Sequence, residues 1–379
     1  MDPILSWVQS NQPELIDFLR EMVEIETPSG DEAGILRFAD LLESRLCDIA
    51  RIKRMKAPGF GPHLILEFDL PGAKKRGQIL GLAHSDTVHP TGTLAKFPFA
   101  ARGGRLYGPG VLDIKGGIAL FVFAVRALRA LEIPVGRKVL LQVNSDEEVG
   151  SDTSRTLTEK LAKASDFVLV VEPGTGLSGK LKTARKGTGD YSVSVKGIAS
   201  HAGVDFLAGA SAIVELARQI EAIAGFTNLT KGLTVNPGVI SGGTRTNVVA
   251  GEARVEVDIR IARLKDFEVL DRKFRKLRAF DKRCTVTIEG GLNRPPMERT
   301  KAIGAMFALA RTLAEEVGVK LEESSTGGGS DGNFTAALGV PTLDGLGCVG
   351  EGAHTLNECV LTDRIADRTA VLAKLLTGL

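Results

Sequence analysis

A chain of 379 residues is longer than one compact core usually holds, so two domains are expected. A formal net charge of +2, with 25% charged and 43% hydrophobic residues, describes an ordinary globular chain and excludes the basic surface needed for nucleic acid or an anionic membrane. The basic runs at 51–54 and 272–278 read as solvated faces.

The opening residues MDPILSWVQSNQPELIDFLR carry an early acidic residue and no long apolar run, so they read neither as a secretory signal nor as a membrane span. The four cysteines, Cys47, Cys284, Cys348 and Cys359, form no CxxC pair. They read as free thiols of a reducing compartment, which makes the cytoplasm the expected location. Residues 78–83 (QILGLA) form a strand-length apolar run that leads into His84-Ser85-Asp86. Residues 116–131 have helical length and periodicity. Residues 138–144 (KVLLQVN) are a second strand, ending at Ser145-Asp146-Glu147-Glu148, and residues 166–171 (DFVLVV) a third, ending at Glu172-Pro173. Strands separated by helices predict a mostly parallel sheet covered on both faces. Polar residues stand directly after the strand ends, where open α/β sheets place ligands.

Between about 186 and 296 the pattern changes. Residues 189–196 alternate like a half-buried strand, 210–223 are helical, and 233–240 are a strand. A glycine turn at 241–243 leads to an alternating strand at 252–261, a helix at 266–280 and a strand at 285–289. This β-α-β-β-α-β order predicts a ferredoxin-like α+β domain, 186–296, inserted into an α/β domain made of 1–185 and 297–379. The latter resumes with a helix, a loop at 326–331, a strand near 341–343 and a final helix.

Five side chains of metal-ligand type lie in loops that follow these strands or join the sheet: His84, Asp113, Glu148, Glu172 and His354. Singly, each is as well explained by a solvated carboxylate or a structural histidine, and Asp113 by a helix N-cap. Asp86 changes the balance for His84, because a ligating imidazole needs its other nitrogen fixed by a carboxylate or carbonyl. Adjacent Glu147 and Glu148 repel unless a cation or a proton offsets them. A dication bound by one would leave the other as a base; two solvated loop carboxylates are the bland alternative. Cys348 and Cys359 flank His354, but this oxygen and imidazole set is the better metal site.

Six runs in order are similar to one family. They are His84-Ser85-Asp86-Thr87-Val88; Leu106-Tyr107-Gly108-Pro109-Gly110 with Asp113, Lys115, Gly116 and Gly117; Asp146-Glu147-Glu148 with Gly150-Ser151; Val171-Glu172-Pro173; Ala199-Ser200-His201-Ala202-Gly203; and Gly327-Gly328-Gly329-Ser330-Asp331. They resemble the aminoacylase/carboxypeptidase family of co-catalytic zinc metallopeptidases, and within it the glutamate carboxypeptidases of carboxypeptidase G type. The resemblance runs from His84 to His354 and implies two Zn²⁺ per subunit, with Co²⁺ or Mn²⁺ as substitutes. It makes Asp113 the bridging carboxylate, His84 and Glu172 the remaining ligands of one ion, and Glu148 and His354 those of the other. By the same resemblance Asp86 orients His84, Glu147 is the general base and acid, and His201 reaches the neighbouring subunit's site in a homodimer formed through the inserted domain. An ordinary histidine in a tight turn is the alternative for His201. Ile114 and Val249-Ala250 depart from the family's pattern without touching a proposed ligand.

Arg260 and Arg294 read equally as surface ion-pairing residues. The resemblance places both, with Asn247, in the substrate site, and the arginine fork suits a carboxylate. The loop 327–329 lacks the Lys-Ser/Thr end of a P-loop, so the backbone amides of Gly328 and Gly329 are expected to face a carboxylate. The implied activity is metal-dependent hydrolysis of an amide bond in a small peptide or N-acyl amino acid, releasing a C-terminal residue such as glutamate. An acetylornithine or succinyl-diaminopimelate type deacylase is the alternative. A non-catalytic binding protein on the same fold would lack the base or a ligand, and here all are in place.

Overall fold

In the computed structural model, which describes residues 2–379, the apolar runs after residue 77 form the strands Gln78–His84, Lys138–Asn144 and Phe167–Val170. The chain divides into two units. One holds the chain up to Ala184 with Arg299–Ser325 and Ser330–Leu379; the other holds Arg185–Glu298 and Thr326–Gly329.

The first unit is built on a six-stranded sheet in the order Ala50–Met55, His63–Phe68, Lys138–Asn144, Gln78–His84, Phe167–Val170, Thr342–Leu343. The last four run parallel, and the first two add an antiparallel edge. Strands Gln78–His84 and Lys138–Asn144 are buried along nearly their whole length, which is why they read as continuous apolar runs instead of alternating. The helix Gly116–Ala130 is apolar almost all round because it is buried all round, packed against the helices Pro3–Val23 and Ile365–Gly378. Gly117 permits this placement: a Cβ there would lie 2.1 Å from the carbonyl oxygen of Val171. The helix that follows Asp113 is thereby brought against the backbone that leads into Glu172.

Two details were not read from the sequence. Asp2 caps the helix Pro3–Val23 by accepting from the N–H groups of Ile4 and Leu5, with proline at the first helical position. At the other end of the chain, fully buried Arg368 donates to the carbonyls of Gly179, Gly345 and Gly347. Gly347 in turn donates its N–H to the carbonyl of Glu172 at 2.9 Å. A buried guanidinium is tolerable only with such partners, and here they brace a loop beside the site.

The second unit is an antiparallel sheet in the order Thr234–Gly242, Glu252–Ile261, Gly187–Lys196, Thr285–Arg294. Helices Ala212–Ala224 and Leu264–Arg275 join its core. This strand order is ferredoxin-like. Glu252–Ile261 alternates because one face is buried, in a core with Tyr191, Leu216, Leu270 and Phe274. Tyr191 stacks on Phe274 with ring centroids 3.8 Å apart.

Two boundaries differ from expectation. The helix read as 266–280 stops at Arg275, because the Glu215 carboxylate captures the N–H groups of Phe280 and Asp281, and Gln219 donates to the carbonyl of Arg278. Those side chains come from another helix and carry no local signal. The last strand continues to Arg294 through an irregularity between Leu292 and Arg294, which sets Arg294 opposite Thr188. Among the described residues, no helix is long and apolar enough to cross a membrane.

Candidate metal centre

His84 ends its strand, and its ring is almost fully buried. Nδ1 lies 2.9 Å from the carbonyl oxygen of Asp86, so Nδ1 is a donor and Nε2 points away from it. Nε2 is 3.3 Å from Asp113 Oδ1 and 3.6 Å from Glu172 Oε1. His354, at a left-handed backbone position with φ 65°, places its Nε2 3.3 Å from Asp113 Oδ2 and 3.4 Å from Glu148 Oε2. The two oxygens of Asp113 thus face two different histidines, each with its own further carboxylate. In each set, His84/Asp113/Glu172 and Asp113/Glu148/His354, the candidate ligand atoms lie within 4.8 Å of one another.

The donor chemistry fits cations. Asp113 Oδ1 and Glu148 Oε1 are buried without a hydrogen-bond partner, a costly arrangement unless a positive charge satisfies them. Imidazole and carboxylate together suit zinc and similar metals. Cys348 and Cys359 belong to neither set: burial pushes the Cys348 thiol up to about 12, and Cys359 Sγ lies 3.1 Å from Arg105 Nη1.

Asp86 holds the His84 ring through its backbone carbonyl, while its carboxylate Oδ1 stands 3.6 Å from the same nitrogen. The carboxylate accepts the N–H groups of Glu147 and Glu148, both at 3.1 Å, and the Ser29 hydroxyl at 2.7 Å. Asp86 therefore shapes the turn Glu147–Val149 on which the adjacent glutamates stand. Burial raises the Asp86 carboxyl to about 6 despite these donors. Asp146 supports the same turn from the other side, accepting the N–H groups of Thr153 and Ser154. Asp331 accepts from Asn144 and Ser151.

Sequence reasoning missed Glu358 and His89. Glu358 is fully buried and accepts four hydrogen bonds: from Gly110 N at 3.0 Å, Leu112 N at 2.8 Å, Asp113 N at 2.9 Å and His89 Nε2 at 2.9 Å. Its only signal was a carboxylate four residues after His354, beside an apolar run.

Without metal, protons hold these charges together. Burial pulls the His84 imidazole down, but Asp113 and Glu172 outweigh it and hold the ring well above its usual value. Asp113 and Glu148 raise His354 to about 10. Burial would raise Asp113, yet the two histidines keep it well below the usual carboxylate range. Histidine must be neutral to ligate, so metal competes with these protons and its affinity falls as pH falls. Binding is expected to expel protons, because both histidines sit above their usual values without metal. Calorimetry in buffers of different ionisation enthalpy reads this release directly; a heat independent of buffer would contradict it.

The remaining sequence candidates lie in the second unit. His201 Nδ1 accepts the N–H groups of Gly203 and Val204, both at 3.1 Å, which leaves Nε2–H as the donor of the exposed ring. The exposed Asn247 accepts the N–H of Ala202 on its carbonyl, tying the two segments together. Arg260 grips Asp258 on its own strand through Nε and Nη2, which is the ion-pairing alternative. Arg294 is buried, with Nη1 3.2 Å from Asn293 Oδ1. A Cβ on Gly329 would fall 2.9 Å from Arg294 Cδ, so glycine lets this loop lie on the arginine. Arg185, absent from the sequence candidates, donates to the carbonyls of Gly328 and Gly329 at 3.2 and 2.9 Å.

With this geometry in place, residues 81–378 match the model of peptidase family M20/M25/M40. The chain is 31% identical over 354 residues to carboxypeptidase G2 of Pseudomonas sp. (strain RS-16), covering 91% of this chain and 84% of that protein. It is 32% identical over 300 residues to the succinyl-diaminopimelate desuccinylase of Polaromonas naphthalenivorans (strain CJ2), covering 74% and 72%. The solved aminopeptidase PepT of Bacillus cereus ATCC 10987 superposes with a TM-score of 0.82 at 23% identity, over 97% of this chain and 98% of that one. The chain belongs to peptidase family M20/M25/M40 and is a hydrolytic enzyme.

Proposed function

We propose that this chain is a dinuclear metal-dependent carboxypeptidase that releases a C-terminal acidic residue, glutamate foremost. The observation that carries the metal reading is Asp113, whose two oxygens face separate histidine–carboxylate pairs. His84 and Glu172 would hold one ion, Glu148 and His354 the other, and Asp113 both, with zinc the fitting metal. Such ions polarise an amide carbonyl and lower the pKa of water when bound. Glu147 takes the proton of the attacking water on its carboxylate and delivers it to the leaving amine nitrogen as the C–N bond breaks. His201 Nε2–H donates to the carbonyl oxygen as negative charge grows there. Arg294 pairs with the α-carboxylate of the released residue, aided by Asn247 and the amides of Gly328 and Gly329. Arg260, paired with Asp258, is the second arginine beside this pocket.

We assign 1–185 and 297–379 to catalysis and 186–296 to pairing with a second copy of the chain. Thr234–Gly242 is an edge strand exposing Val239 and Ile240, and the helix Ala212–Ala224 exposes Val214. Open apolar edges of this kind call for a cover. In the homodimer each copy's His201 serves the other's site.

Similarity to a succinyl-diaminopimelate desuccinylase supports a second reading, an N-acyl-amino-acid deacylase with the same metal site. A panel of N-acyl glutamate, aspartate, ornithine, leucine and diaminopimelate, ranked by kcat/KM, separates the two. Glutamate and aspartate are expected to lead; a clear preference for ornithine or N-succinyl-diaminopimelate would transfer the assignment to the deacylases.

A further inference from the structure

We infer that Glu358 is the positioning residue of the metal centre, holding the Asp113 loop so that one carboxylate can serve both histidine pairs. The inference rests on the metal reading proposed above. A bridging carboxylate must present its two oxygens to two sites at once, so a small rotation of its backbone withdraws one oxygen as it advances the other. The peptide that enters Asp113 must therefore be fixed. Glu358 does this without any arginine or lysine hydrogen-bonded to its carboxylate: Oε1 accepts the N–H groups of Leu112 and Asp113, and Oε2 accepts those of Gly110 and His89. Three of the four donors belong to the four residues ending at Asp113. Two backbone donors on one oxygen define the direction of that peptide, and a side chain that is both donor and acceptor cannot replace it.

The same residue reaches the second histidine. Glu358 lies four positions after His354, and the strand that starts at Cys359 pairs with Arg105–Tyr107, the strand leading into the Asp113 loop. The His354 segment and the Asp113 segment are thus registered by a strand pair at one point and by the Glu358 cradle at the next. His89, five residues after His84, supplies the fourth donor and brings the segment after His84 into the same cradle. One buried carboxylate consequently joins three ligand-bearing segments, which explains a fully buried glutamate that faces no substrate.

Outer groups that orient ligands typically change metal affinity by about 10–100-fold when lost. Glu358→Gln replaces one acceptor oxygen by an NH₂ group facing two N–H donors. It is expected to weaken zinc binding by about 10–100-fold, with kcat at saturating zinc less affected than the zinc concentration required. Zinc affinity is read by competition with a chromophoric chelator on the full-length chain, and folding of the metal-free protein by circular dichroism. Should Glu358→Gln fail to fold, His89→Phe decides, because it removes one donor and leaves the three backbone ones. It should weaken zinc less, and His89→Gln, which restores a donor, should recover most of the loss. Folded variants with wild-type zinc affinity would overturn the positioning role while leaving the metal site intact. A wild-type chain that binds no zinc would remove both.

Discussion

Glu147→Gln is expected to keep both metals and lose about 10²–10⁴-fold in kcat, the usual worth of a positioned general base. Glutamine fills the same volume and leaves the N–H of residue 147 on the Asp86 carboxylate, so the turn Glu147–Val149 should persist. What disappears is the ability to take a proton and return it to the amine. Its neighbour should respond differently. Glu148 Oε2 lies 3.4 Å from His354 Nε2 and its other oxygen is buried without a partner, so Glu148→Gln should lower metal occupancy. Measuring kcat and metal content on both variants separates the roles. Near-normal kcat in Glu147→Gln would show that the two glutamates have been assigned the wrong way round.

Arg294→Ala should lower kcat/KM by about 30-fold to several thousand-fold for substrates with a free C-terminal carboxylate. A desolvated charge-assisted pair costs about 2–5 kcal/mol when one partner is truncated, and 1.36 kcal/mol is tenfold in rate. The guanidinium is buried, so a carboxylate meeting it would be paired away from water and little screened. The matching substrate with its α-carboxylate converted to an amide never makes the contact and should lose far less. That difference discriminates recognition from collapse of the loop, which would harm both substrates alike. Equal losses on acid and amide would reject the carboxylate role.

How far the sequence alone led depends on the range of the interactions involved. The α/β and ferredoxin-like patterns were legible because burial on two faces or one writes itself into runs such as QILGLA or into the alternation of EARVEVDIRI. The five residues now found in two clusters were legible as candidates because each stands in a short motif beside a predicted strand or turn. The helix end at Arg275 was not, since Glu215 and Gln219 act across some sixty positions of chain. Glu358 was hidden for the same reason: its backbone donors lie more than 240 residues away in sequence. Asp86 was legible as the partner of His84, but not that its carbonyl takes the ring nitrogen while its carboxylate accepts from the glutamate turn. The Arg260 pairing with Asp258 follows from i, i+2 alternation, which puts both on one face of a strand, and could have been read from the sequence.

The most direct test of the metal centre is to count and remove its ions. Chain stripped with a strong chelator should lose amide hydrolysis entirely. Adding back zinc should restore activity, with elemental analysis approaching two ions per chain at saturation. Full activity in the stripped chain, or saturation at a single ion, would contradict a site built on Asp113 shared between two pairs.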